Sequence, residues 1–187
     1  MVHENHDQCC VVSGESGSGK TEASNLLVQQ LMKLGHAKTR SLEEKILKLN
    51  PLMESFGNAR TVINNNSSRF GKFLELHFTT DGHVVGAHLS EYLLEKSRVV
   101  SQARKEKNFH IFYYLLAGLG SRGKLANYYL SSMHYQHGYL EQRGTAHKGH
   151  KSTRKEAMFS ERFDQIEQTF QLFGFCEEVS TILCFTC

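Results

Sequence analysis

The run Gly14-Glu15-Ser16-Gly17-Ser18-Gly19-Lys20-Thr21 constrains this chain more than any other feature. It satisfies G-x-x-x-x-G-K-[ST], and it stands between a short apolar stretch, Cys9-Cys10-Val11-Val12, and a segment whose leucines recur at helical spacing. Glycines at 14, 17 and 19 free the backbone from Cβ crowding, so the N–H groups of Gly14 through Gly19, with Glu15, Ser16 and Ser18 between the glycines, can curl around an anion. The helix that follows points its positive end at the same place. In that geometry Lys20 reaches the β- and γ-phosphates of a nucleotide and the Thr21 hydroxyl ligates Mg²⁺. The alternative is a glycine-rich turn that binds nothing.

The flanking pattern supplies the expected elements. Cys9 to Val12 predicts a buried strand that opens the chain and enters the turn at Gly14. Leu26, Leu27, Leu31 and Leu34 predict a helix from about Lys20 to Leu34, closed by Gly35. Ser41-Leu42-Glu43-Glu44 reads as a capping box for a second helix, and Asn50-Pro51 as a renewed helix start, since proline suits a first helical position. From Phe70 to Thr79 apolar and polar residues alternate, Asp81-Gly82 follows, and a second run extends from His83 to Tyr92, the signature of a β-hairpin. Further helices are predicted from Asn108 to Leu119 and from Phe159 to Phe173. The fold class is therefore α/β.

Composition narrows the function classes. With 40% hydrophobic and 22% charged residues and a net charge of +3, disorder, collagen and a coiled-coil rod are excluded. No apolar run reaches membrane-spanning length, and the polar start lacks the character of a secretory signal, so a cytoplasmic protein with reduced thiols is expected from its five scattered cysteines. The weakly patterned segment 120–157 reads as a surface excursion. Its five basic residues between Gln142 and Lys155 read as a solvated loop in preference to a nucleic-acid surface, because no aromatics are interleaved. His134-x-x-His137, His147-x-x-His150 and Cys184-x-x-Cys187 have ligand-like spacing but lack the compact pairing of a zinc site.

A second polar loop, Asn64-Asn65-Asn66-Ser67-Ser68-Arg69-Phe70-Gly71-Lys72, precedes the hairpin. Its hydroxyls, amides and arginine suit a second Mg²⁺ ligand and a γ-phosphate contact. Read alone, such a loop is more often an asparagine-rich turn.

Taken together, GESGSGKTEA, NPLMESFGNARTVINNNSSRFGKFLEL, SEYLLEKSRVV and EKNFHIFYYLLAGL resemble the myosin motor head, in order and at family spacing, from Val11 to Leu119. Ser18 and the EKNFHIFYY block are most similar to class III myosins. The resemblance implies a P-loop NTPase, a partial myosin head with a central mixed β-sheet flanked by helices. Its parts would be the P-loop at 14–21, switch I at 64–72, a transducer-like hairpin at 70–92, the excursion at 120–157 and a C-terminal helical segment at 158–187. It further implies Lys20 on the phosphates, Thr21 and Ser68 on Mg²⁺, Asn64 on the nucleotide, Ser67 beside the attacking water, and Arg69 as the arginine that pairs with a switch II glutamate. ATP and Mg²⁺ follow as cofactors. Actin filaments and the myosin complex follow as partners, with an actin-associated, cytoskeletal location and no nucleic acid or membrane span.

The departures from the family pattern carry expectations of their own. Nothing matches the D-I-x-G-F-E motif of switch II, nor the family's relay, converter or lower actin-binding regions, and the resemblance fades after Leu119, recovers weakly at Phe159 to Glu178 and stops at Thr181 to Cys187. A partial head is implied, with weak ATP binding and negligible turnover for the chain alone, because the transition state needs groups converging from several loops. A non-motile, myosin-derived binding protein is the alternative of another class. A small P-loop kinase would need a mobile arginine lid, for which Arg98, Arg104 and Lys105 are the candidates, and a small GTPase would need N-K-x-D, which is absent.

Overall fold

A computed structural model of the chain describes residues 6–36, 40–130, 139–140 and 153–175. Among the described residues there are four α-helices: α1 (Lys20–Leu34), α2 (Arg40–Gly57), α3 (His110–Ser121) and α4 (Thr153–Leu172). Between α2 and α3 lie β1 (Asn58–Ala59), β2 (Ser67–Ser68), β3 (Gly71–Phe78) and β4 (Val84–Tyr92). The strands pair as two antiparallel ribbons, β1 with β2 and β3 with β4. The class is mixed α and β, and the sheets among the described residues are small.

The hairpin forms where the alternation predicts it. Gly71 pairs with Tyr92 and the register runs to Phe78 against Val84, with an irregularity between His77 and Phe78. Its apolar residues Leu74, Leu76, Phe78 and Val84 pack with Val28 and Met32 of α1 and Ile46 of α2. Gly35 closes α1 as expected, but its φ of −81° is one that any residue adopts. Glycine is needed there for a different reason: the Val84 N–H donates to the Gly35 carbonyl at 2.9 Å, and an added Cβ would meet Val84 Cγ2 at 2.6 Å.

The second cluster joins Leu52 of α2, Ala59, Phe109, Ile111 of α3 and Ile166 of α4. Helices α3 and α4 cross closely at Gly118, where an added Cβ would overlap the Phe163 ring. Arg122, at the end of α3, ties the pair together through Asp164 and Glu167 of α4. The Asn108 side chain is wholly enclosed, and its amide nitrogen donates to the carbonyls of Val99 at 3.0 Å and Tyr139 at 2.8 Å.

Four expectations are corrected. Residues 7–14 are irregular and exposed, Val11 at 84%, so Cys9 to Val12 forms no strand: a ladder needs a neighbour, and no described segment pairs with it. Pro51 does not restart a helix, because α2 runs unbroken through it. Helix α4 begins at Thr153, six residues before the apolar periodicity starts, since its first turns are built from polar helix formers. The excursion is more than a surface loop: Leu125 and Leu130 pack on α3, and Leu140 is buried among Tyr113 and Leu116. The histidine pairs at 134–150, the cysteine pair at 184–187 and most of the basic run lie outside the described residues.

Candidate nucleotide site

The glycine loop opens directly into α1. Gly17 and Gly19 take φ of +83° and +87°, the left-handed region in which L side chains are strained, so glycine is required at both. The Ser18 N–H donates to the Glu15 carbonyl at 3.2 Å, which rounds the loop. Lys20 folds back over it, its Nζ donating to the Gly14 carbonyl at 2.6 Å and to that of Glu15. Gly19 stands at the N-cap with no side-chain cap, and Thr21 lies half-buried in the first turn. Ser16 and Ser18 are exposed along the loop.

The segment from Arg60 to Arg69 leaves β1 and returns along β2. Asn64 is its pivot: its N–H donates to Thr61 Oγ1 at 3.2 Å, its carbonyl accepts the Thr61 N–H at 2.8 Å, and its Oδ1 accepts the Asn66 N–H at 2.9 Å. The remaining amide nitrogen is aimed at the glycine loop, 4.0 Å from where a Gly17 Cβ would stand. Two loops separated in sequence by the whole of α1 and α2 are thus brought together.

The two serines face opposite ways, as strand alternation requires. Ser67 is buried, its hydroxyl accepting from Arg69 Nη1 at 3.4 Å, whereas Ser68 is exposed. Asn66 is held from three sides: Asn58 Nδ2 donates to its Oδ1 at 3.1 Å, its Nδ2 donates to Glu54 Oε2 at 3.1 Å, and His110 Nε2 lies 3.0 Å from its Oδ1. Burial pushes the His110 imidazole below its ordinary value, and the ring stacks on Tyr114.

Arg69 has a carboxylate partner that sequence reasoning missed. Its Nε donates to Glu95 Oε2 at 2.6 Å, and the same oxygen accepts Arg98 Nε at 2.7 Å. Burial pushes the Glu95 carboxyl up, but the hydrogen bonds and charges of Arg69 and Arg98 outweigh it and hold the group below its usual range. Arg98 is only 3% exposed and also pairs with Glu106 at 2.8 Å, so it cannot serve as a mobile lid arginine. The signal in the sequence is the Glu95-x-x-Arg98 spacing, an i, i+3 charge pair flanked by Leu93-Leu94 and Val99-Val100.

Thr21 and Ser68 offer hydroxyl oxygens of the kind Mg²⁺ accepts beside phosphate and water, so their chemistry fits that ion. Among the described residues no cluster of three or more His, Cys, Asp or Glu side chains is arranged to hold a metal, and no helix is long and apolar enough to cross a membrane.

Comparison with known proteins agrees with these motifs. The family model for the myosin head (motor domain) matches residues 1–185, well past Leu119, where the motifs alone thin out. Myosin-IIIa of Mus musculus is 53% identical over 178 residues, covering 95% of this chain and 11% of that protein. Myosin-IIIb of the same species is 49% identical over 95% of the chain and 13% of its own length. Myosin-VIIa of Drosophila melanogaster is 50% identical over 66% of the chain and 6% of its own. The chain thus spans about a tenth of the length of the curated relatives it matches, and the similarity to the class III proteins runs nearly end to end. On its motifs, their spacing and this coverage, the chain belongs to the myosin head (motor domain) family.

Proposed function

We propose that this chain is the ATP-binding part of a myosin motor domain, whose parent activity is ATP hydrolysis coupled to movement along actin filaments. The observation that carries the reading is the approach of Asn64 to Gly17, which sets the second polar loop against the phosphate-binding one. In this reading the region is a P-loop NTPase core, 14–21 is the P-loop, 64–72 is switch I, and the 70–92 hairpin belongs to the central mixed sheet of a partial head.

The backbone N–H groups of Gly14 to Gly19 bind the phosphates, and Lys20 exchanges the Gly14 and Glu15 carbonyls for phosphate oxygens when nucleotide arrives. Asn64 contacts the nucleotide from the opposite wall. Ser67 lies beside the attacking water, which is the nucleophile, and Arg69 holds Ser67 in place. Thr21 and Ser68 would hold Mg²⁺, which would offset the charge of the phosphate oxygens. Actin and the rest of the myosin assembly are the partners of the parent, and its place is the actin cytoskeleton of the cytoplasm.

One observation favours a second reading, a non-motile nucleotide-binding protein of myosin ancestry. Arg69 is already satisfied by Glu95, so the loop 60–69 is held without a switch II carboxylate. The experiment is titration of the chain with a fluorescent ATP analogue and Mg²⁺, followed by a turnover assay. Binding that is lost in Lys20→Ala supports the nucleotide site, and equal retention by both proteins overturns it. Turnover at the rate of an intact motor would contradict the expectation of negligible hydrolysis.

A further inference from the structure

The loop that carries Asn64 and Ser67 is fastened at both ends to one buried guanidinium. At its C-terminal end, Arg69 is bound twice to Glu95: side chain to side chain at 2.6 Å, and by the Glu95 N–H donating to the Arg69 carbonyl at 3.0 Å. Glu95 is in turn gripped by the fork of Arg98, Nε on Oε2 at 2.7 Å and Nη2 on Oε1 at 3.3 Å. At the N-terminal end, Arg98 Nη1 donates to the Lys107 carbonyl at 3.0 Å, and the Lys107 N–H donates to the Arg60 carbonyl at 2.9 Å.

A guanidinium fits this task because its five N–H donors lie in one rigid plane and can be aimed at several acceptors together, which an ammonium cannot do. The fourth contact, Arg98 Nη2 to Glu106 Oε2 at 2.8 Å, completes a set of two arginines and two glutamates whose charges cancel. Burying a charge is costly unless it is paired in this way. The cost is met here at a position from which both ends of the loop can be reached.

We propose that Arg98 is a positioning residue, one that fixes the 60–69 loop against the phosphate-binding loop through Glu95 at one end and the Lys107 carbonyl at the other. Its value to function rests on the nucleotide reading above, whereas its mechanical role does not. Glu95→Gln removes the charge that joins Arg69 to Arg98 and leaves the Lys107–Arg60 end intact, while Arg98→Met severs both.

The test is amide hydrogen exchange of the full chain without nucleotide, followed by titration of the same proteins with the fluorescent ATP analogue and Mg²⁺. Glu95→Gln is expected to speed exchange at residues 67–69 by about tenfold, as for loss of one charge-assisted hydrogen bond, with 60–62 and α1 unchanged. Glu95→Asp, which restores the charge, brings exchange back toward the original. Arg98→Met, if it folds, speeds exchange at both ends, and analogue affinity falls in parallel by about tenfold. Unchanged exchange at 67–69 in Glu95→Gln, or faster exchange spread evenly over the chain, overturns the proposal. Absence of analogue binding by the unmodified chain, with the exchange pattern as expected, overturns the nucleotide reading and leaves the clamp supported.

Discussion

The Lys72 ammonium donates to Asn50 Oδ1 at 2.6 Å, which joins the first strand of the hairpin to the middle of α2. Asn50 passes the contact on, its Nδ2 donating to Asn25 Oδ1 of α1 at 2.8 Å. One buried amide therefore connects the helix that follows the glycine loop to the strand that follows the second polar loop. Burial pushes Lys72 below its ordinary value, and Glu54 acts in the opposite direction.

Removing that amide leaves polar groups on two elements without a partner. Asn50→Ala is expected to cost about 1–3 kcal/mol, the penalty for leaving buried groups unsatisfied. Denaturant unfolding checks it, and a midpoint equal to that of the unmodified chain would contradict the relay.

The crossing of α3 and α4 makes a sharper contrast. Gly118→Ala forces a methyl group into the Phe163 ring and is expected to destabilise by about 1–3 kcal/mol. Gly120→Ala, two residues on, meets only Leu125 Cδ1 at 3.5 Å, an ordinary contact, and should stabilise by up to about 1 kcal/mol through helix propensity. Thermal melts of the two variants should move in opposite directions.

At Gly17 the effect should fall on binding. A side chain at φ +83° costs about 1–2 kcal/mol and stands in front of the Asn64 amide. Gly17→Ala is therefore expected to weaken binding of the fluorescent ATP analogue by about tenfold or more.

His110 should make stability depend on pH. Its folded value is lowered by burial, so between that value and the unfolded value of 6.5 the unfolded chain binds a proton that the folded chain does not. Stability attributable to His110 is thus full above pH 6.5 and declines as pH falls below it. The difference between the unfolding free energies of the unmodified chain and His110→Gln, measured from pH 7.5 to 5, should shrink toward the acid end. A constant difference would show that the imidazole does not titrate differently in the two states.

Several elements are legible in the amino-acid sequence because their signals are local. The extent of α1 follows from leucines at helical spacing and the terminal glycine, the hairpin from the alternation of Leu74 to Thr79 ahead of Asp81-Gly82, and the tight turn of 14–19 from its glycines. The missing strand at Cys9 to Val12 has a non-local cause: the residues are strand formers, but strand structure is a property of a pair, and propensity says nothing of whether a neighbour is within reach. Pro51 departs from expectation in the same way, since its preference for a first turn yields to the packing of Leu52 and Phe56 in the core beneath α2.

What the sequence by itself determined is the chemistry available: a glycine-rich turn that runs into a helix, a hydroxyl-rich loop, a hairpin, and the family to which they belong. What only the tertiary structure decided is which groups meet. Asn64 faces Gly17, Asn50 joins Lys72 to Asn25, and Arg69 finds Glu95 and, through it, Arg98. No periodicity records such contacts, because a hydrogen bond depends on distance and angle between side chains that the chain brings together only after its helices have packed.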